Sequence, residues 1–336
     1  MRTLFVTGAS GFIGSNLVRE LVRRGMRCKC LVRATSSIGD LPVEDVELIE
    51  GSIEDPDSYR TALEGCDTVI HLAGIVYSLD ESRLYQVNSQ GCAILADACL
   101  ATSQPPRLIY ISSLAAAGPP PSGVEVRDEN HPPQPVSLYG KSKRQGELLL
   151  TERAERLQTT IIRPGIVFGP TDKKLIDLFR PIYRWRVHVV VGFRTPPLSL
   201  IYIDDLVQLI LLAVERGEVL QSDPDSSQGY YFACDDAEFP DYWQLGQLIA
   251  KSYNQSVLVW PLWRWVATCV GYAGQVFAKV SGRPTLLTVD KIREATVRSW
   301  ACSSQKAREQ FGFAPSQPIA PRVGETAKAY VDNGWV

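Results

Sequence analysis

The chain has 336 residues, 45% of them hydrophobic and 21% charged, with a net charge of −2 and a pI near 6.0. That length allows one large domain with a second lobe, or two domains, of ordinary globular composition. The charge balance gives no ground for a nucleic-acid partner, and eight cysteines and three histidines without repeated short spacing exclude a recognisable zinc site.

The first expected strand is Leu4 to Thr7, with no basic stretch or cleavage site ahead of it. Together with scattered thiols this predicts a cytoplasmic location. A helix follows from Phe12 to Arg24, with Ile13, Leu17, Leu21 and Val22 on one side and Gly25 closing it. Further strands are predicted at Cys28 to Val32, Val46 to Ile49, Thr68 to Leu72, Leu108 to Ile111 and Thr160 to Ile162. Helical stretches fall near 56–65, 81–102 and 138–157, with another at Leu206 to Val214. Alternating helices and continuously apolar strands predict an α/β fold, a Rossmann-type doubly wound parallel sheet. Residues 1–170 and 199–236 are assigned to it, and 171–198 with 237–336 to a smaller C-terminal substrate lobe. The proline-rich run from Pro119 to Pro135 reads as a long surface loop.

Gly8-Ala9-Ser10-Gly11-Phe12-Ile13-Gly14 joins the first strand to the first helix. Glycines there permit a tight turn and close approach of a pyrophosphate, whose charge the helix N-terminus favours. Gly8, Ser10, Gly11, Phe12, Ile13 and Gly14 are therefore candidate cofactor contacts. After the second strand come Arg33, Ser36 and Ser37, with no acid before Asp40. An acid would suit the ribose 2′-hydroxyl of NAD, whereas Arg suits the 2′-phosphate of NADP. Arg33 is thus the candidate clamp, with Ser36 or Ser37 assisting; the alternative is a solvated loop arginine and NAD.

Tyr139 and Lys143 lie four residues apart, one turn up the same helical face. A free phenol titrates near 10, and a neighbouring ammonium is expected to lower that value, making proton exchange with a substrate hydroxyl practical. Ser112 and Ser113 follow the strand ending at Ile111, where open parallel sheets bind ligands. A hydroxyl there can hold the substrate oxygen as charge develops.

These motifs recur with His71-Leu72-Ala73-Gly74, Arg163-Pro164-Gly165-Ile166-Val167-Phe168-Gly169-Pro170, Tyr202-Ile203-Asp204-Asp205 and Phe311-Gly312-Phe313-Ala314-Pro315. In all of them the chain resembles the extended short-chain dehydrogenases/reductases. That group holds sugar-nucleotide epimerases, dihydroflavonol-type reductases and 3β-hydroxysteroid dehydrogenases. The resemblance implies that Ser113, Tyr139 and Lys143 are the catalytic groups and that Asn88 supports them. It implies that Leu72, Ala73 and Gly74 line the cofactor cleft with Ser112, Pro164 and Ile166, Pro164 lying near the nicotinamide. Ser52-Ile53 stands where the family usually has an acid and an apolar residue beside adenine. Asp204 and Asp205 are expected to cap a helix, and His71 to end a buried strand without acid–base work. The resemblance also implies a homodimer packed through 81–102 and 138–157.

Many epimerases of that group carry an asparagine where this chain has Ile166, and Leu114-Ala115-Ala116-Ala117 follows Ser113 in place of a hydroxyl residue. An apolar lining suits an apolar small-molecule substrate, steroid- or flavonoid-like, because unpaired sugar hydroxyls are costly to bury. Residues 257–280 carry Trp260, Trp263, Trp265, Val266, Val270, Tyr272, Val276 and Phe277, interrupted by Pro261, Arg264, Gln275 and Lys279. A lid, a peripheral membrane contact and an ordinary packed helix all remain open, but a spanning helix is not expected. The first reading is an NADP-dependent dehydrogenase or reductase of a secondary alcohol or ketone. The alternatives are a nucleotide-sugar epimerase/dehydratase that keeps NAD bound, and a non-catalytic redox-sensing binder on the same fold.

Overall fold

The computed structural model describes residues 2–281 and 289–336, with the side chains of 275–281 and 289 excluded. Among the described residues eleven strands run in chain order: β1 Thr3–Thr7, β2 Arg27–Val32, β3 Glu47–Glu50, β4 Thr68–His71, β5 Arg107–Ile111, β6 Thr159–Pro164, β7 Ile166–Phe168, β8 Val187–Val191, β9 Leu200–Tyr202, β10 Tyr230–Ala233 and β11 Leu258–Leu262. Seven form one sheet in the order β10-β6-β5-β4-β1-β2-β3, and every pairing in it is parallel. The chain starts at the centre, winds outward over β2 and β3, then returns to build β4, β5 and β6 on the other side. This reversal opens a crevice at the carboxyl ends of β1 and β4.

The pleat explains why these strands are apolar throughout. Leu4 and Val6 of β1 face one core with Leu17, Leu21, Leu206 and Ile210 from the helices Phe12–Arg23 and Ile203–Arg216. Phe5 between them faces the other core, with Tyr59, Val69, Leu95 and Leu150. A side chain fully buried on either face contributes about 1.5–3 kcal/mol. The first helix stops at Arg24, and Gly25 turns away at φ 73°, a left-handed value that favours glycine.

The segment read as one helix over 81–102 is three pieces: Glu81–Tyr85, a π turn at Gln86–Gln90, and Gly91–Leu100. The π turn carries Asn88 and aims it inward. The stretch near 56–65 is shorter than expected, a 3-10 turn at Pro56–Ser58 and a single turn at Arg60–Leu63. Residues 257–280 are divided too: β11 pairs in parallel with β8, and a helix begins only at Arg264. The expected packing of Gln275, Val276, Phe277 and Lys279 lies outside the described residues. Among the described residues no helix is long and apolar enough to cross a membrane.

The proline-rich loop is organised from inside. Arg127 is fully buried and donates to the carbonyls of Ala117, Gly118, Pro119, His131 and Pro132 at 2.5–3.0 Å. Five acceptors offset much of the desolvation of one guanidinium, although its Nε finds no partner among the described residues and burial lowers it to about 10, so only part of this loop is surface.

Candidate active site

The glycine turn is shaped by what a methyl would strike. A Cβ on Gly8, whose φ is 69°, would lie 2.6 Å from Ala73 N, and one on Gly14 would lie 2.2 Å from Gly8 O. Gly11 caps the first helix without a side-chain acceptor, so the N–H groups of its first turn face the crevice. A Cβ on Gly74 would come 3.0 Å from Asn88 Oδ1 and 3.8 Å from Lys143 Nζ. These cradles fit a dinucleotide: the helix N-terminus would hold its pyrophosphate, and Lys143 would be available to donate to it.

Ser10, Phe12, Ile13, Leu72 and Ala73 are half-buried around the same turn. Ala73 N donates to Thr7 Oγ1 at 3.2 Å and Leu72 N to Thr7 O at 3.1 Å, fixing their backbone against β1. Arg33 is exposed just past β2, which runs beside β1. Ser36 Oγ accepts from Arg33 N at 3.1 Å, which holds the turn and leaves its own O–H free to donate. Ser52 N donates to Ser58 Oγ at 3.2 Å, and Ile53 is packed in the second core beside Tyr59. Pro164 ends β6 buried, and Ile166 stands half-buried on β7, its N–H donated to Ser199 O at 2.8 Å.

The helix Leu138–Thr151 starts at Ser137, which accepts from Gly140 N at 3.0 Å. It brings Tyr139 and Lys143 together with Ser113, which caps the short helix Leu114–Ala117 by accepting from Ala115 N at 3.1 Å. The expectation that Lys143 depresses the Tyr139 phenol is not met. Burial raises the phenol to about 12; the Ser113 hydroxyl bonded to it pulls the other way, and the Glu294 carboxylate adds to the rise. Lys143 Nζ instead donates to Ile111 O at 2.8 Å and lies 4.3 Å over the Tyr110 ring. Burial brings its ammonium down to about 8, opposed by Cys92 and Glu147.

Asn88 locks the floor beneath them. Its Oδ1 accepts from Ile75 N at 2.9 Å, while its Nδ2 donates to Ile75 O at 2.8 Å and to Ser142 Oγ at 3.0 Å. His71 bonds Thr7 Oγ1 at 2.7 Å and Cys92 Sγ at 3.3 Å, and burial lowers it to about 3, a neutral ring outside the acid–base work.

Two sequence expectations need further correction. Ser112 turns away from the crevice and donates to Glu147 Oε1 at 2.6 Å. Leu114 and Ala117 are buried with Phe232, Cys234 and Cys302, and Ala116 is fully buried, so the apolar run after Ser113 is largely packing rather than lining. Asp204 and Asp205 cap nothing through their side chains: the helix follows Tyr202 directly, and Asp205 Oδ1 accepts from Ser316 N at 3.0 Å and Ser316 Oγ at 2.7 Å.

Glu147 was missed in the sequence. It is fully buried and accepts from Arg163 Nε at 2.9 Å, Arg163 Nη2 at 2.6 Å and Arg144 Nη1 at 3.1 Å. Burial tends to raise its carboxyl, but Arg163 outweighs this and holds it below the ordinary value. Its signal was the continuation of the four-residue step from Tyr139 through Lys143. Asp290, missed likewise, accepts from Leu138 N at 2.6 Å at the head of the same helix.

Residues 4–224 match the model of the NAD dependent epimerase/dehydratase family. Sterol demethylase protein B of Methylococcus capsulatus is 31% identical over 224 residues, 64% of this chain and 66% of that protein. The 3beta-hydroxysteroid-dehydrogenase/decarboxylase isoform 2 of Arabidopsis thaliana is 26% identical over 98% of this chain and 62% of its own length. The chain therefore spans just under two thirds of either relative. A dTDP-glucose 4,6-dehydratase from Bacillus anthracis, solved with NAD, shares the fold with a TM-score of 0.77 at 15% identity, covering 99% of this chain and 97% of that one.

Proposed function

Because the chain belongs to the NAD dependent epimerase/dehydratase family, whose members include dehydrogenases and reductases, we propose that it exchanges hydride between NADP(H) and a secondary alcohol or ketone on an apolar, ring-shaped molecule. The observation that carries this reading is the convergence of Tyr139 with the Ser113 hydroxyl on one side and, a turn along the same helix, Lys143, whose ammonium lies 3.8 Å from where a Cβ on Gly74 would stand. Sterol-directed names among the relatives, and Ile166 where a diphosphate-binding asparagine would stand, support the apolar substrate.

The nicotinamide supplies or accepts the hydride when bound. Ser113, already accepting from Ala115 N, directs its proton toward the substrate oxygen and stabilises negative charge there. Tyr139, held protonated at neutral pH by burial, is the acid that delivers its proton to the substrate oxygen when the ketone is reduced. Lys143 keeps a positive charge beneath the site, and Asn88 keeps the helix in register through Ser142. Asp290, on the helix Val289–Ala295, ties that helix to the head of the catalytic helix.

The test is binding of NADPH and NADH to the wild type and Arg33→Ala, followed by turnover of ring-shaped ketones. A charge-assisted contact of about 2 kcal/mol corresponds to roughly thirtyfold in affinity. Preference for NADPH, lost in Arg33→Ala, supports the clamp. NAD retained through purification with no response to Arg33→Ala moves the assignment to a sugar-nucleotide epimerase.

A further inference from the structure

The small sheet of β8 and β11 has two unlike faces. His188, Val190 and Val259 point inward, where His188 Nε2 bonds Tyr242 O at 2.8 Å. The other face bears Val189 and its register partner Trp260, with Leu258 two residues before it. Beyond the strand ends, Phe193 and Trp263 meet edge to face at 5.0 Å. The next helix continues the surface with Trp265, Cys269 and Tyr272, spaced to share one side. These aromatics are open to solvent: Trp260 by 57%, Trp263 by 61% and Trp265 by 68%. So many exposed rings in one place are unusual for a surface that meets only water.

Charge identifies the occupant. Arg186, whose carbonyl accepts from Leu258 N at the start of the sheet, and Arg194 and Arg264, beside Gly192 at its other end, are exposed, as is Arg184 one turn before β8. Within 182–199 and 255–274 there are four arginines and no acid, although the whole chain carries −2. A second copy of this face would bring like charges together, which disfavours a self-complementary dimer. Tryptophan at the level of headgroups, rimmed by arginine, is the composition that binds an interface between water and lipid.

We propose that this face, formed by β8, β11 and the start of the Arg264–Ser281 helix, docks the protein on an anionic lipid bilayer. Binding is peripheral: the rings enter the headgroup layer and the arginines meet lipid phosphates. None of these residues is among those placed around the coenzyme crevice, and the inference holds whatever the substrate.

Co-sedimentation of the full chain with two kinds of vesicle tests it: phosphatidylcholine alone, and phosphatidylcholine mixed equally with phosphatidylglycerol. The wild type is expected to partition onto the mixed vesicles and to be released by salt. Each arginine near an anionic surface is worth roughly fivefold in partitioning, so R194Q/R264Q lowers it by roughly twenty- to thirtyfold. W260S/W263S reduces binding to the mixed vesicles without restoring it in low salt. Retained NADPH affinity shows that each variant is folded. Wild type left in the supernatant with both vesicles overturns the proposal. So does equal binding by the arginine variants, or a concentration-dependent dimer that W260S/W263S dissolves.

Discussion

Arg163→Met isolates the buried pair behind the catalytic helix. Arg163 is 2% exposed, gives Glu147 two of its four hydrogen bonds, and stacks 4.3 Å from the Tyr230 ring. Methionine keeps much of the bulk but leaves the carboxylate with Ser112 and Arg144 only. Breaking a buried pair typically costs 3–5 kcal/mol, and the two surviving partners place this case near the bottom, about 3 kcal/mol. An unfolding entropy of about 2.1 cal/mol/K per residue makes that a fall of roughly 4 °C in Tm for this chain. The pH dependence has a definite sign. In the wild type the depressed carboxyl contributes stability above the ordinary glutamate value of about 4.3, lost as pH falls through its lower folded value. Without Arg163, desolvation raises the carboxyl, so the variant regains stability relative to wild type as acid protonates it. Scanning calorimetry from neutral to mildly acidic pH, with E147L/R163M as the closing corner of the cycle, measures this. A Tm change under about 1 °C, or a deficit that grows toward acid, would refute the reasoning.

Tyr139→Phe should bind coenzyme with unchanged affinity yet lose roughly 10²–10⁴ in kcat, as steady-state turnover would reveal. Because burial sets Lys143 near 8, activity should decline on the alkaline side through that value as the ammonium is lost. Lys143→Met should abolish this limb while lowering the rate throughout, which a pH–rate profile resolves. Gly14→Ala places a methyl 2.2 Å from Gly8 O, so equilibrium titration should show coenzyme affinity falling at least tenfold, about 1.4 kcal/mol.

The central sheet was readable because its strands obey one rule over and over. Leu4, Phe5 and Val6 are all apolar since both faces of β1 are covered, and a glycine turn marks where the first helix begins. The seventh strand, Tyr230–Ala233, was overlooked: four residues carry too little pattern, and only its pairing with β6 defines it. The same applies to β8 and β11, whose partners lie about seventy residues apart in the chain. Tyr139, Lys143 and Ser113 were legible through spacing and strand ends. Ser112 was misread because two adjacent serines look identical in sequence, while the strand sends their hydroxyls to opposite sides. The Tyr139 phenol was misjudged because helical spacing reports proximity, not where an ammonium points or how deeply a ring is buried.

The loop gathered on Arg127 has a consequence for how this chain can vary. All five of its acceptors are main-chain carbonyls, and any amino acid provides a carbonyl. The side chains of 119–126 are therefore free to drift, whereas Asp128, Glu129, Asn130 and His131 are held by their own bonds, Glu129 accepting from Phe232 N at 2.7 Å, and two further features resist change. One is the arginine at the hub. The other is Gly118, at φ 78°, where a methyl would fall 1.9 Å from Gln134 O. Relatives should differ most across 119–126 yet trace the same path, with Gly118, Arg127 and the bonded run from Asp128 to His131 as its visible record.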